Sequence, residues 1–235
     1  MAERFPPQVT LRDVSRAYGR SFALHRINLE LDAGCITAIV GDNGAGKSTL
    51  LNLLATIDQP TSGDISYGEM PLAKFARKAR HRIGWVSHDA LLYGELTARE
   101  NLAFFGRMYG IDDAQNRVFS WLERVGLADD ADRRVREFSR GMKQRLSIAR
   151  ALLHNPQLLL FDEPATGLDQ QGKRFVVDLL DELRSAGRIV VVVTHDFDLL
   201  DELADRIVIL RRGKLSFDGA PHQLADLVET YRAHA

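Results

Sequence analysis

Nearly continuous apolar runs, each too short for a helix, occur at three places along the chain. They are ITAIV at 36–40, QLLLF at 157–161 and RIVVVVT at 188–194. Runs without polar alternation are typical of strands that are covered on both faces. Between these runs the spacing becomes helical: in 170–187, Val176, Leu179, Leu180 and Leu183 fall on one face and Gly187 ends the pattern. This alternation predicts an α/β fold with a mostly parallel sheet.

Three stretches depart from this pattern. Residues from about 4 to 32 alternate between apolar and polar positions, as in VTLRDV and INLEL, which predicts short antiparallel strands before the parallel core. Residues from about 89 to 152 are helical in pattern, and Thr97 and Glu100 predict a capping box there. The tail, RIVILRRGKLSFDG, predicts a hairpin, and a helix is expected to follow near Pro221.

These stretches define the expected organisation of the chain. We expect one domain over 1–235. Within it, about 1–88 and 153–235 would form the parallel core with the antiparallel strands, and about 89–152 would form an inserted helical subdomain.

Composition limits the classes of partner. Lys plus Arg (31) and Asp plus Glu (32) nearly balance, so we expect no nucleic-acid partner. The single cysteine, Cys35, cannot form an internal disulfide, and no Cys/His cluster indicates a metal cage. The N-terminal MAERFPPQ lacks the apolar stretch of a secretory signal, and no apolar run is long enough to cross a bilayer. A role at a membrane would therefore require a partner protein.

The strongest local signal is GDNGAGKST at 41–49, directly after the first apolar run. It fits G-x-x-x-x-G-K-[ST], a loop whose glycines let successive backbone N–H groups point at phosphate oxygens. Lys47 would reach the β- and γ-phosphates of ATP, and the Ser48 hydroxyl would ligate Mg²⁺. The alternative is a glycine-rich turn that only caps a helix. The predicted nucleotide-binding residues are Gly41, Asn43, Gly44, Ala45, Gly46, Lys47, Ser48 and Thr49.

A second signal, LLLFDEP at 158–164, ends an apolar run with two carboxylates. Ligands of open α/β sheets bind at the carboxyl ends of strands, so both side chains would face the nucleotide. Asp162 would hold Mg²⁺ on a strand next to the phosphate-binding loop, and Glu163 would act as the general base toward water. The alternative is a solvated turn, since acidic residues often end strands.

The segment EFSRGMKQRLSIARALLHNPQLLLFDEPATGLD, at 137–169, resembles the signature region of ABC-transporter ATPases through the Walker B motif to the D-loop. With the 41–49 loop, AYG at 17–19 and VVVTHD at 191–196, the resemblance covers essentially the whole chain in the family's order. It implies a P-loop NTPase core. FSRGM stands where the family often has L-S-G-G-Q: Arg140 replaces its first glycine and Met142 its glutamine.

The resemblance also implies roles for residues outside the two motifs. Ser139, which can cap the following helix, and Gly141 would contact the γ-phosphate of ATP held by a second, head-to-tail copy. Tyr18 would stack on adenine, the alternative being an ordinary edge-strand tyrosine. His195 would hydrogen-bond the γ-phosphate, the alternative being a purely structural histidine. Asp169 would lie at the interface between copies, although it could equally be only a helix cap.

His88, in GWVSHDALLY at 84–93, occupies the position of the family's Q-loop glutamine. The glutamine senses Mg²⁺ and the attacking water, and its loop couples ATP to the membrane partner. A neutral imidazole can accept a hydrogen bond from metal-bound water or bind the metal directly, so we expect His88 to take this catalytic and metal-binding role with added pH sensitivity. The alternative is a surface histidine without catalytic contact.

The function implied is an ATP-hydrolysing motor subunit of an ABC transporter, working with a second copy of itself and with integral membrane permease subunits. Its location would be cytoplasmic, on the inner face of the membrane. Trp85 and Tyr93 could dock a permease helix or be local core residues. Within the family the chain looks most like ATPases of haem export for cytochrome c maturation; the alternatives are drug or polysaccharide export and a soluble ATPase of nucleic acid or ribosomes. A simple P-loop kinase would lack the signature segment.

Overall fold

The computed structural model describes residues 8–78, 80–195 and 202–221. The strands are β1 (Gln8–Tyr18), β2 (Ser21–Asp32), β3 (Cys35–Val40), β4 (Ser62–Tyr67), β5 (Met70–Pro71), β6 (Ile83–Val86), β7 (Leu158–Asp162), β8 (Ile189–Val193), β9 (Arg206–Arg211) and β10 (Lys214–Gly219). The helices are α1 (Lys47–Leu54), α2 (Leu72–Lys78), α3 (Ala98–Met108), α4 (Ala114–Arg124), α5 (Arg140–Leu152) and α6 (Gln170–Ser185).

The larger sheet has the strand order β10-β9-β3-β8-β7-β6. Its strands run parallel from β9 to β6, and only β10 pairs antiparallel, with β9. The residues of β8 are buried throughout, as are those of β7 before Asp162, which explains their lack of polar alternation. Because the strands are parallel, the carboxyl ends of β3, β6, β7 and β8 lie along one edge of the sheet.

The smaller sheet is antiparallel, in the order β2-β1-β4-β5. Its first two strands have 11 and 12 residues, so the short strands expected in this region are longer than the alternation indicated. Irregular pairing near Asp13, which has φ 49°, breaks the alternation in the middle of β1. Apolar residues of both sheets meet around α1 in one core cluster, which places this sheet against the start of the nucleotide loop.

The helices α3, α4 and α5 pack around a core cluster of their own, which includes Leu102, Val118, Leu122 and Leu146. The predicted capping box is present at the start of α3: Thr97 accepts from Glu100 N, and the Glu100 carboxylate accepts from Thr97 N. Helices of this block also contact the parallel sheet, since residues of α5 share a cluster with β7 and β8.

The predicted fold class, an α/β P-loop core with an antiparallel sheet and an inserted set of helices, is confirmed. The hairpin of the tail is present as β9 and β10. The helix expected after Pro221, and residues 4–7 of the first stretch, lie outside the described residues. Within the described ranges, no helix is long and apolar enough to span a membrane.

Candidate nucleotide and magnesium site

The loop after β3 is built on two glycines that lie against other backbone segments. A Cβ at Gly46 would lie 2.5 Å from the carbonyl oxygen of Ala23, and a Cβ at Gly41 would lie 2.3 Å from that of Leu210. Gly46 also has φ +107° and immediately precedes α1. The loop can therefore hold this shape only where side chains are absent, and its backbone stays open toward the cleft.

Lys47 lies folded into this loop. Its ammonium donates hydrogen bonds to the carbonyl oxygens of Gly41 and of Asp42, the latter at 3.0 Å. Burial lowers the pKa of Lys47, whereas the carboxylates of Glu163, Asp162 and Asp42 oppose this shift. A cation is thus held at the centre of the phosphate cradle, with three acidic side chains close enough to act on it.

Glu163 follows β7 in a left-handed backbone conformation, with φ +53°. Its N–H donates to Val193 O at 2.8 Å, which ties the turn to the end of β8. One carboxylate oxygen, Oε2, accepts from the Thr194 hydroxyl at 3.3 Å and from His195 N at 3.4 Å. The other, Oε1, lies 3.6 Å from His195 Nε2 and is buried without a hydrogen-bond partner. This strained turn therefore holds one carboxylate oxygen by hydrogen bonds and leaves the other buried beside the His195 imidazole.

Asp162 lies at the end of β7, which is separated from β3 by β8. The expectation that the acid lies on the strand next to the phosphate-binding loop is therefore wrong, because β8 is inserted between the two strands. Burial and repulsion from Glu163 raise the pKa of Asp162, while His88, Lys47 and His195 act in the opposite direction. All of these groups thus share one electrostatic environment, and His88, although exposed, is part of it.

A cleft of about 700 Å³ joins these groups. Its lining includes most of the residues predicted from the phosphate loop, both carboxylates, and the histidines from the ends of β6 and β8. Ala23, Thr166 and Val193 were not expected; their positions come from chain packing, not from a local motif. The lining residues are Ala23, Asn43, Gly44, Gly46, Lys47, Ser48, Thr49, His88, Asp162, Glu163, Thr166, Val193 and His195.

Six predicted site residues do not line this cleft. Gly41 and Ala45 are buried parts of the loop's framework. The other four stand elsewhere on the surface of the chain or at helix starts. They are Tyr18, Ser139, Gly141 and Asp169.

Ser139 caps α5, since its hydroxyl accepts from Met142 N at 3.2 Å. No acidic residue lies in the first turn of this 13-residue helix. Arg140 lays its side chain over Gly167, where a Cβ would be 2.9 Å from Arg140 Cδ. Behind it, Gln144 Nε2 donates to Pro164 O at 3.1 Å. The start of α5 is thus attached to the loop that follows Glu163.

Asp169 is the N-cap of α6, because Oδ1 accepts from Gly172 N at 2.8 Å. Tyr18, at the end of β1, is half-exposed and donates through its hydroxyl to Asp58 Oδ2 at 2.8 Å. Of the two roles left open for these aromatics, Trp85 takes that of a core residue, since it packs against the core with its indole Nε1 buried, whereas Tyr93 is half-exposed.

The residues of the cleft fit ATP and Mg²⁺. Ser48 and Asp162 supply the hydroxyl and carboxylate oxygens that Mg²⁺ prefers, and phosphate oxygens complete such a coordination shell. Within the described residues no group of three or more His, Cys, Asp or Glu side chains could hold a metal unaided. The glycines leave space for phosphates beside the Lys47 ammonium, and the Glu163 side chain lines the same cleft. This is the site of a P-loop ATPase.

Comparison with known proteins gives the family. The ABC transporter family matches residues 24–166. The chain is 36% identical over 229 residues to the Nod factor export ATP-binding protein I of Cupriavidus metallidurans, covering 94% of this chain and 76% of the relative. It is 36% identical over 205 residues to the linearmycin resistance ATP-binding protein LnrL of Bacillus subtilis, covering 86% and 66% respectively. The chain belongs to the ABC transporter family.

A solved structure agrees with this assignment. The dimeric, post-hydrolysis structure of the ATP-binding cassette MJ0796 bound to ADP and Pi has a TM-score of 0.82 and 30% identity, over 90% of this chain and 98% of that one. This chain is accordingly an ATPase that uses ATP with Mg²⁺, the motor component of an ABC transporter.

Proposed function

We propose that two copies of the chain bind ATP between them, head to tail, with the P-loop of one copy facing Ser139 and Gly141 of the other. The observation that carries this proposal is that the cleft of a single chain is complete around the phosphate loop yet excludes the cap of α5. An exposed helix start with a serine cap and no acidic residue suits a phosphate from another molecule. The dimeric form of the MJ0796 cassette supports association of two copies.

Hydrolysis would depend on Glu163 as general base. Thr194 and the His195 N–H hold Oε2, which leaves Oε1 to accept the proton of the attacking water. Lys47 and the His195 imidazole would stabilise the charge that develops on the γ-phosphate. Mg²⁺, held by Ser48 and Asp162 with phosphate oxygens, would supply further neutralisation of that charge when bound.

His88 would complete the site from the end of β6. Its imidazole lines the cleft and acts electrostatically on Asp162. In that position it can accept from a metal-bound water or bind the metal, as we expect for a residue in place of glutamine. The same loop continues to residues 91–93, so a conformational change at the nucleotide would also move these residues.

The surface beside this loop would receive the membrane permease subunit. Leu91 and Tyr93 are each about half-exposed, at 51% and 50%. Tyr93 packs edge-on against Phe104 of α3, at 5.1 Å between ring centroids. Apolar side chains held by a helix in this way suit a groove for a partner helix. The chain would then lie at the cytoplasmic face of the membrane, attached through that subunit.

The transported substrate is proposed only as a chemical class. The relatives described above are named for Nod factor export and linearmycin resistance, which supports export of a drug or polysaccharide. Haem export for cytochrome c maturation, expected from His88 and the segments around it, stays a second hypothesis without support from those relatives. ATPase activity of the purified complex, measured with each cargo class, separates the two.

Co-purification tests the function itself. The tagged chain, extracted from its native membranes in mild detergent, should carry integral membrane subunits, and a Leu91→Ser/Tyr93→Ser variant should lose them while the isolated chain keeps its ATPase activity. Lys47→Ala should lose ATPase activity but retain the membrane subunits. Recovery of ribosomes or nucleic acid instead of a membrane protein would contradict the proposal.

A further inference from the structure

The tip of the β1–β2 hairpin lies against the phosphate loop. Arg16 pairs with Leu24 across this hairpin, and Leu24 lies with Ala23 against Gly46, where a Cβ would be 2.8 Å from Leu24 Cδ2. Tyr18 follows two residues beyond Arg16, and 51% of its surface is exposed. Its ring is therefore placed beside the nucleotide cleft and not within the phosphate-binding part of it.

Three contacts hold this ring. The Tyr18 hydroxyl donates to Asp58 Oδ2 at 2.8 Å. The Arg16 guanidinium forms an ion pair with the other carboxylate oxygen of Asp58, also at 2.8 Å. The same guanidinium lies over one face of the ring, with Cζ 4.7 Å from the centroid. A carboxylate thus fixes the phenol end and a cation covers one face, while about half of the residue's surface stays exposed.

Asp58 is itself held in place by the segment that follows α1. Its N–H donates to Asn52 O at 3.2 Å. Further on, Thr61 N donates to Ser15 O at 2.7 Å, and Thr61 Oγ1 accepts from Ala17 N at 3.0 Å. The cluster therefore connects the hairpin to the helix that begins at the phosphate loop, and it joins residues that are forty or more positions apart in the chain.

A tyrosine at a hairpin tip has several rotamers open to it, and a base that stacks on it must select one of them. Here the hydroxyl tether and the covered face restrict the ring before any ligand arrives. Every nucleobase has a π face that can stack on such a ring, so the benefit appears in affinity for the base and not in the chemistry of the phosphates.

We propose that Arg16 and Asp58 are positioning residues that hold the Tyr18 ring ready to stack on the purine base of ATP. This inference rests on the proposed function, in which the phosphate loop beside the hairpin binds ATP. Arg16 and Asp58 would then contribute to the affinity for ATP, although neither residue belongs to one of the motifs in the sequence.

Calorimetric titration with two ligands tests the proposal. MgATP carries a base, whereas Mg-tripolyphosphate offers only the phosphates. Arg16→Met should weaken MgATP binding roughly three- to tenfold, because the variant loses the cation–π contact and with it the ordered Tyr18 ring. Its affinity for tripolyphosphate and its kcat at saturating ATP should equal those of the wild type, so that the loss falls on KM. Arg16→Lys should restore part of the affinity, and Asp58→Asn should resemble Arg16→Met.

The matched control is Arg12→Met. Arg12 lies on the same strand, is exposed, and makes no ion pair within the described part of the chain. This variant should bind both ligands as the wild type does.

Failure of the positioning role and failure of ATP binding give different results in these titrations. If Arg16→Met weakened both ligands equally, or left MgATP binding unchanged, the positioning role would be overturned. A selective loss of MgATP affinity in Phe22→Ala but not in Tyr18→Ala would also overturn it, because Phe22, 55% exposed near the same loop, would then be the base platform. Failure of the wild-type protein to bind MgATP would instead refute the proposed function.

Discussion

His154 binds the carbonyl oxygen of Ile83 through Nε2 at 3.0 Å, so the segment after α5 is attached to the strand that leads to His88. The imidazole stacks on Tyr109 with 3.9 Å between ring centroids, and its Nδ1 is buried without a partner. Because the carbonyl can only accept, Nε2 carries a proton. Four residues earlier, Arg150 donates to Trp85 O at 2.7 Å. Arg150 of α5 and His154 just after it thus hold the edge strand β6 at two carbonyl groups.

This histidine predicts acid sensitivity of the fold. Burial lowers the pKa of His154 to about 4 from the ordinary 6.5, against the opposing effect of the bond to Ile83. The unfolded chain therefore takes up this proton at higher pH than the native one. The corresponding stability is fully present above pH 6.5 and is lost as the pH falls from 6.5 toward 4. The difference between the unfolded and native pKa values of His154 corresponds to a loss of roughly 3 kcal/mol in the free energy of unfolding.

Urea unfolding at several pH values measures this effect. His154→Gln, which retains a donor for the Ile83 carbonyl, should lose most of the decrease in unfolding free energy between pH 7 and pH 4.5. His81→Gln, a change at an exposed histidine whose charge is a smaller cause of the lowered His154 pKa than burial, should retain most of it. Equal pH dependence in wild type and His154→Gln would show that the buried imidazole is not the group responsible.

His88 predicts pH dependence of activity. An imidazole changes charge between pH 5 and 8, whereas a glutamine amide does not titrate. We expect the ATPase activity of His88→Gln to vary less between about pH 5.5 and 7.5 than that of the wild type. His25→Gln serves as control, because His25 does not line the cleft. An unchanged ATPase profile in His88→Gln would count against a catalytic role for this residue.

The contact of Gly46 with Ala23 predicts a large effect of one methyl group. Gly46→Ala places Cβ 2.5 Å from a carbonyl oxygen at φ +107°, so the loop must shift. We expect loss of detectable MgATP binding and a decrease of roughly 1–3 kcal/mol in unfolding free energy. Gly187→Ala is matched in φ sign, at +72°, but meets nothing within 4 Å. This substitution should lower the free energy of unfolding by about 1 kcal/mol and leave MgATP binding unchanged. A comparable loss of MgATP binding in both variants would contradict the steric explanation.

The sequence predicted those features that depend on neighbours in the chain. The fully buried β8 could be recognised from its apolar run, and Ser139 and Asp169 could be recognised as caps because a cap is a local hydrogen bond. The meeting of Asp162, His195 and the phosphate loop followed from the rule that carboxyl ends of parallel strands share one edge.

Features that depend on pairing between distant segments could not be predicted. The strand β4, SGDISY, has no clear apolar alternation and is defined by its partner β1. The position of β8 between β3 and β7 is a matter of strand order, which no local pattern contains. The contact of Arg16 with Asp58 joins two ordinary surface charges, and only the folded chain shows that both act on Tyr18.

The shared nucleotide site predicts a dimer that forms with ATP and dissociates after hydrolysis. Glu163→Gln removes the base but leaves the phosphate loop and Mg²⁺ ligands, so kcat should fall by at least about 10²-fold while MgATP binding persists. Ser139→Asp, added to Glu163→Gln, keeps a good helix cap but places a negative charge toward the partner's phosphates. Ser139→Asn, a neutral cap, is the matched control.

The most direct measurement is the molar mass of these variants by light scattering, with and without MgATP. Glu163→Gln and Glu163→Gln/Ser139→Asn should be dimeric with MgATP and monomeric without it. Glu163→Gln/Ser139→Asp should bind MgATP yet remain monomeric. A Glu163→Gln/Ser139→Asp protein that dimerised with MgATP as fully as Glu163→Gln would contradict the claim that Ser139 completes the site of a second copy.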